Sequence, residues 1–209
     1  MSFRFEEKIL FHISDYLRLK TFIFNTGGSK LYPKRRISSL YFDNNENNMY
    51  LDSEEGCLPR KKIRIRSYPE NKDKLDYFSE TKISSVEGRY KITKKINKKV
   101  FSELKQKGIL DNIYGICYPK FNVSYYREYF SLFNQRITLD KNIEYKCYKG
   151  NRFVRESENL ILEIKSNNFI SVELFKNIIP FQRLRISKYC EGFNKLFNKN
   201  ETQRLSQLL

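Results

Sequence analysis

The sequence predicts an α+β fold: a closed antiparallel eight-stranded β-barrel with helices packed outside. Three observations carry that expectation. β-branched and aromatic residues alternate with polar ones in many short segments, which is the period of a half-buried strand. Clusters of Asn, Gly, Ser and Pro separate those segments. Several segments also set one or two cations, often beside a carboxylate, opposite an apolar face, and a barrel with a charged interior and an apolar, helix-covered exterior accommodates them all.

In chain order, the predicted strands are residues 3–9, 36–43, 60–68, 76–82, 88–96, 121–130, 136–142 and 160–165. Eight strands suffice to close a barrel around a narrow lumen. A helix over 14–24 follows from the i, i+3 and i, i+4 neighbours among Tyr16, Leu17, Lys20 and Phe24, with Ser14 placed to cap it. Helices over 98–107 and 189–197 complete the set, the last offering Phe193 and Leu196 to the barrel wall. Residues 44–48 read as a polar turn and 69–75 as a charged connection, both solvated.

The 209 residues suit one domain spanning 1–209, because no linker, low-complexity tract or fixed-period repeat divides them. Lysine and arginine number 40 against 24 acidic residues, and the net charge of +16 implies an anionic partner: nucleic acid, an acidic membrane surface or a phosphate polymer. Cys57, Cys117, Cys147 and Cys190 form no C-x-x-C pair, which excludes a zinc ribbon and a thioredoxin-like centre and leaves them as reduced thiols. His12 is the only histidine, so multi-histidine metal sites are excluded and the residue reads as structural. Apolar runs fall well short of the ~20 residues a membrane span needs, and no signal peptide is evident. The expectation is a cytoplasmic protein without a transmembrane segment.

Residues of one parity share a face of a strand. Over 60–66 this sets Arg60, Lys62, Arg64 and Arg66 against Ile63 and Ile65. Taken alone, that stripe predicts a solvated outer face. The pattern recurs, however: Arg4 with Glu6 and Lys8, Phe78 with Glu80 and Lys82, Arg89 with Lys91, Arg127 with Tyr125 and Tyr129, Arg136 with Thr138 and Asp140, and Ile161 with Glu163 and Lys165. Recurrence favours an enclosed basic interior. Cations crowded where water is scarce repel one another, and a bound polyanion removes that cost. Arginine suits phosphate oxygens through paired donors, lysine through a compact charge. Glu6, Glu80 and Glu163 can then hold Mg²⁺ or Mn²⁺ against phosphate. Each can instead be the ion-pair partner of its neighbouring lysine; for Glu163 the metal role is favoured.

Arg4-x-Glu6-x-Lys8, Ser39-Leu40-Tyr41-Phe42-Asp43, Lys62-Ile63-Arg64-Ile65-Arg66-x-Tyr68, Glu80-x-Lys82, Tyr125-x-Arg127, Arg136-x-Thr138-Leu139-Asp140, Leu162-Glu163-Ile164-Lys165 and Ser187-Lys188-Tyr189 resemble, in order, the VTC domain of polyphosphate polymerases. That family belongs to the triphosphate tunnel metalloenzymes, and the resemblance spans nearly the whole chain. It implies a basic tunnel, and an enzyme that moves the terminal phosphate of ATP onto a growing inorganic polyphosphate chain and releases ADP, with Mn²⁺ or Mg²⁺ as cofactor. It implies that Lys8, Arg64, Arg66, Lys82, Lys91, Arg127, Arg136, Arg185 and Lys188 hold phosphates and that Glu163 coordinates the metal. The charge pattern adds Lys62, Arg89 and Lys165 as phosphate-binding candidates and Glu6 and Glu80 as candidate metal ligands. Arg64, Arg66, Lys82 and Lys188 are the candidate catalytic residues. The chain departs from the family's usual Lys-x-Arg at Lys91-x-Thr93, where one tunnel cation is lost or displaced. Coupling of synthesis to transport across a membrane would come from a membrane-protein partner or be absent.

Other readings compete. A metal-dependent triphosphatase acting on a nucleotide, inorganic triphosphate or an RNA end would use the same residues with water as acceptor. A catalytically silent polyphosphate-binding protein would keep the tunnel without turnover. A nucleic-acid-binding module could stack bases on the fifteen tyrosines and seventeen phenylalanines, but Phe3 and Phe5 fall on apolar faces. No zinc finger, RRM-type aromatic motif or basic recognition helix is visible, so no specific nucleic-acid partner is expected.

Overall fold

The computed structural model describes residues 5–70, 76–166 and 186–198. Phe3, Arg4 and Arg185, to which the sequence assigns places, lie outside them, as do residues 71–75 of the charged connection. The described elements are β1 (Phe5–His12), a 3-10 turn (Ile13–Asp15), α1 (Tyr16–Asn25), β2 (Ser29–Asp43), α2 (Asn48–Glu55), β3 (Arg60–Ser67), β4 (Tyr77–Ser85), β5 (Gly88–Ile96), α3 (Lys98–Lys107), β6 (Ile109–Asp111), β7 (Gly115–Leu132), β8 (Gln135–Cys147), β9 (Phe153–Glu156), β10 (Asn159–Ser166) and α4 (Lys188–Phe197).

The α+β, antiparallel architecture is the one expected. The strand count is corrected: the sheet has ten strands, in the order β1-β10-β8-β7-β2-β3-β4-β5, with β6 on β7 and β9 on β8. Among the described residues this path is open, so the expected closed eight-stranded barrel is not the pairing found. β6 and β9, of three and four residues, are too short to carry a periodic signal. β2 begins at Ser29 rather than residue 36 because its first six residues are exposed on both faces and include Pro33, which hides the alternation. No helix among the described residues is long and apolar enough to cross a membrane.

Contacts divide the chain into two compact units: Met1–Arg36, Tyr125–Ile143 and Arg155–Ile186 form unit one, and Ile37–Ser124, Glu144–Val154 and Ser187–Leu209 form unit two. In unit one, Leu19 and Ile23 of α1 pack on a core of Ile9, Phe11, Phe130, Leu132, Ile137, Leu139, Leu160, Leu162 and Ile164. Ser14 is not the cap expected. Its backbone amide donates to His12 Nδ1, so His12 caps the 3-10 turn that precedes the helix, which supports its structural role.

Unit two is organised by Asp43, a fully buried carboxylate. It accepts from the backbone amides of Asn44, Met49 and Tyr50 at 2.8, 3.0 and 3.1 Å, and from the Tyr189 hydroxyl at 2.5 Å. Asp43 therefore satisfies the first turn of α2 from outside the helix. That remote cap explains why α2 escaped the sequence, since Asn47 makes no side-chain cap of its own. The solvated turn expected over 44–48 is found at Asn45 and Glu46, which are exposed, but Asn44 is buried and its side chain accepts from the Asn48 amide. α4 starts at Lys188, with Ser187 accepting from the Cys190 amide as its cap. Tyr189 packs against Tyr41 and Phe121, with ring centroids 5.2 and 5.8 Å apart, and Phe193 stacks on Tyr50 at 3.9 Å.

Gly192 permits this packing, because a Cβ there would come within 2.5 Å of the Phe121 ring and 2.7 Å of the Tyr145 ring. Gly192→Ala gains about 1 kcal/mol of helix propensity but forces two fixed rings apart, a change that typically costs ~1–3 kcal/mol. A lowered denaturant midpoint is the expected outcome. A midpoint at or above the parent's would mean that α4 is free to shift.

Candidate phosphate-binding and metal site

In unit two, β3 alternates as its sequence requires: Lys61, Ile63 and Ile65 are buried, and Arg60, Lys62, Arg64 and Arg66 take the other face. That face is not the solvated one the strand predicts by itself, because the side chains of Arg64 and Arg66 retain only 12% and 11% of their exposure. Backbone register explains the enclosure. Lys62 pairs with Lys82 and Lys82 with Lys91; Arg64 pairs with Tyr41 on β2 and Glu80 on β4; Arg66 pairs with Ser39 and Phe78. Paired residues share a face, so Lys62, Arg64, Arg66, Lys82 and Lys91 stand on the face of Glu80.

Three of these cations converge on that one carboxylate. Arg64 Nε donates to Glu80 Oε2 at 2.7 Å, Lys91 Nζ to Oε1 at 2.5 Å, and Arg66 Nε lies 3.8 Å from Oε2. Burial alone would raise the Glu80 pKa, but Arg64, Arg66 and Lys91 outweigh it and hold the carboxyl at about 2. Arg64 also donates to the Tyr41 hydroxyl at 3.0 Å. Burial opposes ionisation of that phenol, yet Arg64, Arg66 and Lys188 pull its pKa below the ordinary value. Lys62 Nζ donates to Ser187 Oγ at 2.8 Å and lies 5.6 Å over the Tyr189 ring. Arg89 is exposed and pairs with Ser84, one row beyond the lysines. Thr93 sits across from Glu80; Lys94 falls on the opposite face, and Lys95 forms an ion pair with Asp76 at 2.9 Å.

Unit one carries the second cluster. Lys8 pairs with Glu163 and Glu163 with Thr138, while Glu6 pairs with Lys165 and Lys165 with Arg136. Lys165 Nζ bridges Glu163 at 2.8 Å and Glu6 at 3.1 Å, and Lys8 reaches Glu6 at 3.1 Å and the Ile186 carbonyl at 3.5 Å. Arg127 grips the buried Asp140 through Nε and Nη2, at 2.5 and 2.6 Å, and Nη2 also reaches Glu163 at 3.1 Å. Burial works against both ions, but Asp140 keeps the Arg127 pKa well above its ordinary value, and Arg127, Lys165 and Lys8 hold Glu163 well below its own.

Asp140 is the partner that sequence reasoning missed. Its parity was visible, but the partner of Arg127 depends on how β7 and β8 face each other, which spacing does not give. Glu6, Glu80 and Glu163 all sit in ion pairs, the arrangement weighed against metal binding from the sequence.

The donors bear on a divalent cation as follows. Among the described residues no three His, Cys, Asp or Glu side chains converge. Glu163 is ionised, Glu6 shares the Lys165 ammonium with it, and Thr138 Oγ1, on the residue paired with Glu163, is buried with no hydrogen-bond partner among the described residues. This donor set fits Mg²⁺ or Mn²⁺ that takes most of its ligands from phosphate and water.

The VTC domain family model matches residues 3–197. Among curated proteins no sequence matches significantly. Of solved structures, a candidate adenylate cyclase from Bacillus halodurans is similar, with a TM-score of 0.63, 12% identity and coverage of 92% of this chain and 99% of that one. A candidate adenylyl cyclase from Hippeastrum, for which a dominant triphosphatase activity is described, gives 0.53, 14%, 88% and 93%. A candidate adenylate cyclase from Vibrio parahaemolyticus gives 0.54, 12%, 91% and 98%. At these identities the likeness is one of fold.

Glu80 generates a pH prediction. Its ordinary value is 4.5 and its folded value about 2, so its ionisation contributes about 3 kcal/mol to stability. A depressed folded pKa gives stability that is complete above pH 4.5 and is lost as pH falls toward 2. Glu80→Gln should lower the urea midpoint at pH 7 and flatten the loss of stability across that window. A variant whose acid limb is as steep as the parent's would contradict the assignment.

Proposed function

The chain belongs to the VTC domain family, and on that premise we propose that it is a metal-dependent enzyme that transfers the terminal phosphate of ATP to a growing polyphosphate chain. The observation that carries the reading is the row of Lys62, Lys82 and Lys91, one on each of three adjacent strands, beside Arg64 and Arg66. Like charges directly opposite one another destabilise a sheet. A phosphate chain, charged at every unit, is a ligand that turns that repulsion into binding.

Phosphoryl transfer needs in-line positioning and cancellation of charge on the transferred group more than covalent help. Arg64 and Arg66, with Lys82 and Lys188, are assigned to the reacting phosphates; Glu80 fixes the Arg64 fork. Lys62, Arg89 and Lys91 in unit two, and Lys8, Arg127, Arg136 and Lys165 in unit one, are proposed as phosphate contacts of their own units, and Arg185 is proposed from the sequence alone. Asp140 keeps the Arg127 guanidinium in a fixed plane. Glu163, with Glu6, would hold Mn²⁺ or Mg²⁺, which supplies further neutralisation of phosphate oxygens. The attacking oxygen is already an anion, so a chain with one histidine lacks nothing that the chemistry requires.

The activity described for the Hippeastrum neighbour motivates a second reading, hydrolysis of a triphosphate by the same residues. The acceptor separates the two. Incubation with ATP and Mn²⁺ should yield long anionic chains on a gel and a matching amount of ADP. Free phosphate without chains would establish hydrolysis, and neither product would contradict an enzyme. Glu163→Gln should lower turnover about 100-fold or more while triphosphate binding without metal changes little; normal turnover would remove Glu163 from the metal site.

A further inference from the structure

Two buried hydrogen-bond donors on the basic face of unit two have no hydrogen-bond acceptor among the described residues. Ser39 on β2 and Arg66 on β3 are direct register partners, so their side chains share one face of the sheet. Ser39 is 1% exposed, and among the described residues neither its Oγ nor Arg66 Nε has a hydrogen-bond partner. Glu80 Oε2 lies 3.8 Å from that Nε, outside hydrogen-bond reach, and Arg64 Nη2 holds the same oxygen at 2.6 Å.

A buried donor without an acceptor is costly, and native structures retain few of them. Two at paired positions on one face of the sheet point to an acceptor drawn from outside the protein. Its chemistry follows from the surroundings. Arg64 and Arg66 make the locus positive, which repels a metal cation and favours an anionic oxygen. The Tyr41 hydroxyl, on the same face as Ser39, already accepts from Arg64 and leaves the Ser39 position unserved.

We propose that the Ser39 hydroxyl and the Arg66 Nε–H both donate to one non-bridging oxygen of a bound phosphoryl group, which makes Ser39 a substrate-binding residue. The proposal rests on the reading of this face as a phosphate site. Cations attract phosphate from any direction, whereas a serine hydroxyl on a rigid strand accepts it in one place. Ser39 therefore fixes where along the row a phosphoryl group stops.

Calorimetric titration of the full chain with inorganic triphosphate, without divalent metal, tests this when run beside thermal unfolding of the unliganded protein. Ser39→Ala should weaken triphosphate about tenfold, the effect of one hydrogen bond to a charged group. The unliganded unfolding midpoint should stay level or rise, since the substitution deletes an orphan donor. In an Arg66→Lys background, which keeps the charge but loses Nε, the same substitution should cost much less than tenfold, because both groups serve one oxygen. Unchanged affinity in Ser39→Ala would overturn the proposal and assign the hydroxyl to water or packing. A fall in the unliganded midpoint that tracks the affinity loss would also overturn it, as a structural role. A wild-type protein that fails to bind triphosphate would sink the phosphate reading itself, whereas normal wild-type binding with an indifferent Ser39→Ala sinks only this subsite.

Discussion

Glu80 anchors the basic face of β3, β4 and β5. Lys62, Lys82 and Lys91 stand abreast there with Arg64 and Arg66 beside them, and so much like charge on one sheet face is tolerable only if something orders it. One buried carboxylate takes Arg64 and Lys91 directly and draws Arg66 close. The Arg64 fork is thereby fixed, while Arg66 is drawn toward the carboxylate without a hydrogen bond to it. On the proposed reading, a phosphate chain is the anion that meets this charge.

Unit one solves the same problem differently. Lys8, Glu6, Lys165, Glu163, Arg127 and Asp140 form a chain in which charges alternate in sign at each step, so each ion has its counter-ion at hand. The balance explains why Glu163 stays ionised at full burial. It also means that a phosphate or a cation entering there exchanges partners and does not fill an empty place. The two units thus differ in how their charge is arranged: a row of like charges across three strands in one, and a cluster of alternating sign in the other.

Much of this was legible in the sequence, and what was not has physical reasons. Parity over 60–66 separated the arginine face from the isoleucine face correctly, because the side-chain period of a strand is fixed by its backbone. The enclosure of that face was not legible from the strand alone; it comes from register with Glu80 and Tyr41. α2 was missed because its cap is Asp43, outside the helix and ahead of the polar run that looks like a loop. The Arg127–Asp140 grip was missed because pairing between long strands is a tertiary choice. Ser39 opens the Ser39-Leu40-Tyr41-Phe42-Asp43 motif, on the parity of Tyr41, and only its burial without a hydrogen-bond partner among the described residues singles it out.

The basic face of unit two is proposed to bind a phosphate chain. Thermal unfolding followed against rising inorganic triphosphate, with chloride adjusted to hold ionic strength constant, tests it most directly. The expected midpoint climbs with triphosphate concentration, equivalent to about 2.7 kcal/mol of added stability at a hundredfold excess over the dissociation constant. A midpoint that responds to triphosphate no more than to chloride would contradict it.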